Sequence, residues 1–194
     1  MSGPGQAGHP RGLVGRLLGQ LMTWHNAQDN RWTLDLLELA AGDRLLEIGF
    51  GPGMAVELAC RARPDVSVAG IDHSAEMLRA ANARNRRFIE AGRVRLELGS
   101  VDALPYGDAS FDKALAVNSI YFWNDPVTAL REILRVLSPG GVLAVTVHDR
   151  QREAYRPFDS EALTELLRAS GFASVDVRRN GDPRHPLICA LGWR

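Results

Sequence analysis

The sequence predicts an α/β fold, a mostly parallel seven-stranded sheet with helices on both faces and an antiparallel C-terminal strand. Three observations predict it. From residue 44 onward, short apolar runs alternate with stretches of helical period, the pattern of strand and crossover helix. A glycine-rich turn follows the first apolar run, and two strand-like runs separated only by a turn close the chain.

The elements follow in order. Residues 1–10, rich in Gly and Pro, are expected as a disordered leader, and residues 11–194 as one domain, with helices over 11–40 ahead of a core over 41–194. Leu13, Val14, Leu17, Leu18, Leu21 and Met22 recur at helical spacing over 11–22, although Gly12, Gly15 and Gly19 weaken that helix. A second helix is expected over 27–40. Strands are expected near 44–48, 66–71, 93–98, 111–117 and 142–148, with helices near 53–63, 75–90 and 126–137 between them. Asp125 suits the cap of the last of these, Pro126 its first turn, and Ser138-Pro139-Gly140-Gly141 its stop. A further helix over 160–170 starts at the cap Asp159 and ends at Gly171. The runs 172–178 and 187–193 are joined by Gly181-Asp182-Pro183 and suit a hairpin on the sheet edge.

Composition removes several function classes. Lys plus Arg and Asp plus Glu both number 23 in 194 residues, so no global field draws nucleic acid or an anionic membrane surface to the chain. The two cysteines, Cys60 and Cys189, have no metal or redox spacing, and no metal site is expected. No apolar run reaches the roughly 20 residues that span a bilayer, and the expected location is the cytoplasm.

The chemistry gathers at Glu47-Ile48-Gly49-Phe50-Gly51-Pro52-Gly53, where a strand turns into a helix. Glycines there let a ligand approach the backbone, and the helix start presents free N–H groups. A dinucleotide fingerprint needs glycine at 54 or 56, and the chain has Met54 and Val56. Asp72, at the end of the second strand, suits acceptance from both hydroxyls of a ribose, although it also suits the cap of the helix starting near Ser74.

The E-x-G-x-G-x-G spacing, the segment Gly70-Ile71-Asp72-His73-Ser74-Ala75-Glu76-Met77-Leu78, the block Gly99-Ser100-Val101-Asp102-Ala103-Leu104-Pro105-Tyr106 and the stretch from Leu130 to Gly141 together resemble the Rossmann-like S-adenosylmethionine-dependent methyltransferases of the ubiquinone/menaquinone-biosynthesis type. The resemblance runs from about residue 30 to 148 with order intact. It implies a Rossmann-like core and S-adenosylmethionine as cofactor, leaving S-adenosylhomocysteine as product. It also implies cofactor contacts at Glu47, Gly49, Gly51, Gly53, Asp72, His73, Met77, Val101, Asp102 and Asn118. Gly49, Gly51 and Gly53 would face the methionine end, His73 and Met77 would flank the adenine, and Asp102 would accept from its amino group. A core helix position suits Met77 equally well.

The acceptor side is sparser. In open parallel sheets ligands sit beyond the carboxyl ends of the strands, here at Asn118-Ser119-Ile120-Tyr121-Phe122-Trp123-Asn124 and at His148. Tyr121, Phe122 and Trp123 suit a pocket for a flat or apolar substrate, with at least one of the three expected to pack in the core, and an aromatic face suits a sulfonium cation. His148 has the pKa range of a base for a hydroxyl or amine, with Tyr121 as a second catalytic candidate and His25 a weaker one. Trp24, His25, Asn26, Asn30 and Trp32 resemble a lid over the cofactor, with Trp24 against the substrate. Asn118 and Tyr121 have the spacing of the N-P-P-Y motif of amino-methyltransferases of nucleic acid, but Ser119 and Ile120 replace both prolines. The expectation is therefore methyl transfer to a small organic molecule at O, N or C, with a homodimer compatible. The alternatives are an amino-methyltransferase of nucleic acid or protein, and a catalytically silent S-adenosylmethionine-binding subunit.

Overall fold

A computed structural model describes residues 27–149 and 158–194 of the chain. The helix expected over 11–22 lies outside them. Helix α1 (27–37) ends at Glu38, whose φ of 49° breaks the helix three residues before the expected end. It leads into β1 (Arg44–Ile48), α2 (Met54–Ala62), β2 (Ser67–Asp72), α3 (Ala75–Glu90), β3 (Val94–Leu98), β4 (Phe111–Val117), a 3-10 turn (Ile120–Phe122), α4 (Pro126–Val136), β5 (Leu137–His148), α5 (Ser160–Ala169), β6 (Ser174–Arg179) and β7 (Leu187–Trp193). Cap chemistry sets the helix starts as expected. Asp125 accepts from the N–H groups of Val127 and Thr128, and Asp159 from those of Glu161 and Ala162.

The seven strands lie in the order β3-β2-β1-β4-β5-β7-β6, and only β7 runs against its neighbours. The closing hairpin is thus at the edge, with β7 inserted between β5 and the outermost strand β6. β5 begins at Leu137 rather than near 142, because Ser138-Pro139-Gly140-Gly141 does more than stop α4. Phe111 pairs with Leu137 and Lys113 with Val142, so this segment is accommodated by a register shift inside the strand.

Alternation along the central strands fills both faces of the sheet. Leu46, Ile48, Ala114, Ala116, Leu143 and Val145 point to the face covered by α4 and α5, where they meet Ile133 and Leu163. Leu45, Val68, Leu115 and Ala144 point the other way, toward Leu37 of α1, Ala59 of α2 and Phe88 of α3. Helix α1 is fixed to this face by a buried hydrogen bond between the hydroxyls of Thr33 and Thr146 of β5, 2.6 Å apart. That contact holds the preceding turn, Asp29 and Asn30, over the carboxyl ends of β4 and β5.

The order in which strands are added reverses at β1, which lies between β2 and β4 with all three parallel. The chain winds outward through β2 and β3, then returns to the other side of β1, leaving a crevice at the carboxyl ends of the strands.

Candidate active site

A cavity of about 630 Å³ occupies that crevice. Its walls come from the turns after β1 and β2, the segment after β3 and the segment after β4. The β1 turn folds back on its neighbours tightly. The Gly49 N–H donates to the Ile71 carbonyl, and a Cβ at Gly49 would lie 2.5 Å from that of Ser119, whose hydroxyl donates to the Ile48 carbonyl. With φ at +72°, the residue is glycine for conformational and steric reasons at once.

Asp72 ties this turn to the next one. Its carboxylate accepts from the Gly51 N–H at 2.9 Å and from the Ser74 N–H at 2.8 Å, and the side chain is buried beside the cavity. The cap expected of Asp72 is made instead by Ser74, whose hydroxyl accepts from the Met77 N–H. Two fixed donors therefore orient the carboxylate, and each oxygen keeps a lone pair for a further donor.

Three acceptor atoms of the lining are buried and accept no hydrogen bond among the described residues: Oε2 of Glu47, Oδ1 of Asp102 and Oδ1 of Asn118. Burial is also the largest influence on the Glu47 carboxyl. It outweighs the N–H of Val56, is reinforced by the charge of Asp72, and pushes the pKa up to about 8. A cavity edged by unpaired acceptors suits a ligand that brings donors and positive charge. An adenosine with a ribose, an exocyclic amino group and a cationic tail has that character, so the residues present fit S-adenosylmethionine.

Of the expected cofactor contacts, Glu47, Gly49, Gly51, Asp72, His73, Met77, Val101, Asp102 and Asn118 line the cavity. Gly53 does not. It caps α2 with φ at +76°, and a Cβ there would meet Asn85 Nδ2 at 2.5 Å and the Ala81 Cβ at 2.9 Å, so its glycine serves close packing of α2 on α3. Gly53→Ala is expected to lower stability by about 3 kcal/mol, from the left-handed backbone and the overpacking together, as measured by urea unfolding.

On the acceptor side, Phe122, Trp123 and Asn124 line the cavity, and Phe122 is 72% exposed. Tyr121 and His148 are absent from the lining. The Tyr121 ring turns into the core against Phe158, and its hydroxyl accepts from the His148 N–H at 3.0 Å. His148 pairs with Leu187 across the β5–β7 ladder, and its ring packs edge-on against His185 on the β7 side of Asn118. From the expected lid, Asn30 reaches the cavity, whereas Trp32 packs against the core under α1. Trp24, His25 and Asn26 lie outside the described residues.

Sequence reasoning passed over Asp29 and His185, which meet His148 behind the cavity wall. Asp29 is an acidic residue that is wholly buried, and its only signal in the sequence is its place four residues before Thr33 on the buried face of α1.

Comparison with known proteins decides the family. A model described as "Methyltransferase domain" matches residues 46–145, the span from β1 to β5. The chain belongs to this methyltransferase family. S-adenosylmethionine is the methyl donor of this enzyme. The methyltransferase is 32% identical over 178 residues to the uncharacterized methyltransferase YdaC of Bacillus subtilis, covering 90% of this chain and 96% of that one. It is 41% identical over 111 residues to the 27-O-demethylrifamycin SV methyltransferase of Amycolatopsis mediterranei, covering 57% of this chain and 40% of the relative. Among solved structures, a SAM-dependent methyltransferase of Thermotoga maritima, described as a possible histamine N-methyltransferase, superposes with a TM-score of 0.70 at 26% identity, covering 92% of this chain and 96% of that one. The chain spans 62% and 56% of the length of two fungal relatives named as O-methyltransferases. Among the described residues of the methyltransferase, no helix is long and apolar enough to cross a membrane.

Proposed function

We propose that this enzyme transfers the methyl group of S-adenosylmethionine to a small organic molecule that lies against Phe122 and Trp123. The observation that carries the reading is the exposed Phe122 ring beside the donor cavity, an apolar surface of a kind that marks binding sites. Equal numbers of acidic and basic residues and the small-molecule acceptor in the name of the rifamycin relative support it. Two buried free cysteines accord with a cytoplasmic setting.

In this reading Asp72 accepts from the ribose hydroxyls, Asp102 from the adenine amino group, and Glu47 faces the charged methionine end. His73 and Met77 border the adenine, and the close approach permitted by Gly49 and Gly51 seats the tail. The bound sulfonium supplies a methyl carbon already activated for displacement. What the protein adds is alignment of the acceptor atom behind that carbon and exclusion of water. No base at the cavity wall is required, in keeping with the position of His148 behind it.

Calorimetric titration with S-adenosylmethionine, S-adenosylhomocysteine and NAD is expected to show binding of the two S-adenosyl compounds and none of NAD. Incubation with methyl-labelled donor then places label in a small-molecule extract. Label confined to nucleic acid or protein would overturn the acceptor assignment, and binding without transfer to any acceptor class would favour a silent binding subunit.

A further inference from the structure

Behind Asn118, three metal-ligating side chains from three distant parts of the chain converge: Asp29 of α1, His148 at the end of β5 and His185 ahead of β7. We propose that they form a binding site for one divalent transition-metal ion of the zinc class, beside the methyl-transfer cavity and outside the cofactor contacts.

The geometry supports it in four ways. One ligand atom from each residue lies within 4.8 Å of the others, so a single ion has access to all three. The Asp29 carboxylate is 0% exposed, with His185 Nε2 2.6 Å from Oδ1 and His148 Nε2 3.7 Å from Oδ2. Ligand atoms around a tetrahedral zinc are about 3.4 Å apart, so the His148 spacing already suits shared coordination, and the His185 contact needs to open by about 0.8 Å as the ion replaces the shared proton. The two imidazole rings meet at 82°, which brings the two Nε2 atoms to the same carboxylate without stacking.

The fourth observation is the support around these groups. The Asn118 amide donates to Asp29 Oδ2 at 2.7 Å, and the Tyr121 hydroxyl accepts from the backbone N–H of His148. The Asn118 amide is an outer partner of the kind that orients carboxylate ligands in metal sites, and the Tyr121 hydroxyl fixes the backbone that carries His148. Two imidazoles and one carboxylate select zinc, cobalt, nickel or iron over calcium and magnesium, which prefer all-oxygen sets. The three ligands among the described residues also leave a coordination position for water.

Asn118 touches both the cavity and Asp29, so an ion here sits one side chain from the cavity. Metal binding stands apart from the acceptor reading, and the test reads it without turnover. Full-length protein stripped with chelator is titrated with Co²⁺, following its visible d–d absorption, and with Zn²⁺ by equilibrium dialysis. One ion per chain is expected, with Zn²⁺ displacing Co²⁺ and raising the melting temperature. His185→Gln and Asp29→Asn are each expected to remove the Co²⁺ spectrum and the Zn²⁺-dependent rise. His185→Gln, lying in a turn, provides the reading should Asp29→Asn fail to fold. Absence of stoichiometric binding in the wild type, or an unchanged spectrum in a folded His185→Gln protein, would overturn the site.

Discussion

Asp72→Ala is expected to weaken binding of S-adenosylmethionine and S-adenosylhomocysteine by roughly a hundredfold, measured by calorimetry. In the proposed site the carboxylate accepts from two ribose hydroxyls, and losing charge-assisted hydrogen bonds of this kind amounts to about 3 kcal/mol. The substitution also strips the shared acceptor from the N–H groups of Gly51 and Ser74, which hold the first two turns in register. Unfolding measurements should therefore show a loss of about 2 kcal/mol without ligand. Asp72→Asn keeps one acceptor oxygen and should fall between the two proteins in both measurements. Wild-type affinity in the Ala variant would mean that the ribose is held elsewhere.

The second large effect is expected at Glu47, and it depends on pH. The carboxyl titrates near the ordinary glutamate range in the unfolded chain and at about 8 in the folded one, because burial disfavours its charge. Between those two values the folded state holds a proton that the unfolded state has lost. Stability therefore falls as pH rises from about 4.5 to 8 and levels above that window. Glu47→Gln removes this penalty and is expected to raise stability at pH 8.5 by on the order of 3 kcal/mol, with little difference at pH 4.5. Cofactor binding should respond in the opposite direction. A cationic ligand draws Glu47 into its ionised form, so wild-type binding near pH 7 releases a proton and strengthens as pH rises toward 8. Calorimetry in two buffers of different ionisation enthalpy reads that proton, and the Gln variant should bind more weakly and release none. Wild-type binding with no proton exchange would place the cation away from Glu47.

Most strands and helices were legible because their signals are local. Alternation in Leu45-Leu46 and Ala114-Leu115-Ala116 separates two buried faces, and Asp125 and Asp159 announce helix starts that the structure reproduces. The cavity wall was legible for a related reason, since its residues cluster in short segments at strand ends. Gly53 lies outside the cavity lining, and a glycine needed for ligand approach and one needed for helix packing look alike until Asn85 and Ala81 are in place. Of the three aromatics, at least one of which is expected to pack inward, the fold decides that Tyr121 does. The convergence of Asp29, His148 and His185 had no local signature, because it joins residues 156 positions apart through the order of β5 and β7.

Asn118 links these two neighbourhoods with a backbone φ of +54°, in the left-handed region where few side chains rest easily. Glycine would relax the backbone but delete the amide that holds Asp29. Aspartate tolerates the same conformation but would set a second carboxylate against a buried one, and larger residues meet the strain without the reach. Position 118 thus admits a vocabulary of almost one letter, imposed jointly by backbone shape and by the side chain behind it. The exposed Phe122 at the cavity rim carries no such joint constraint, so substitution there is far freer than at this single amide.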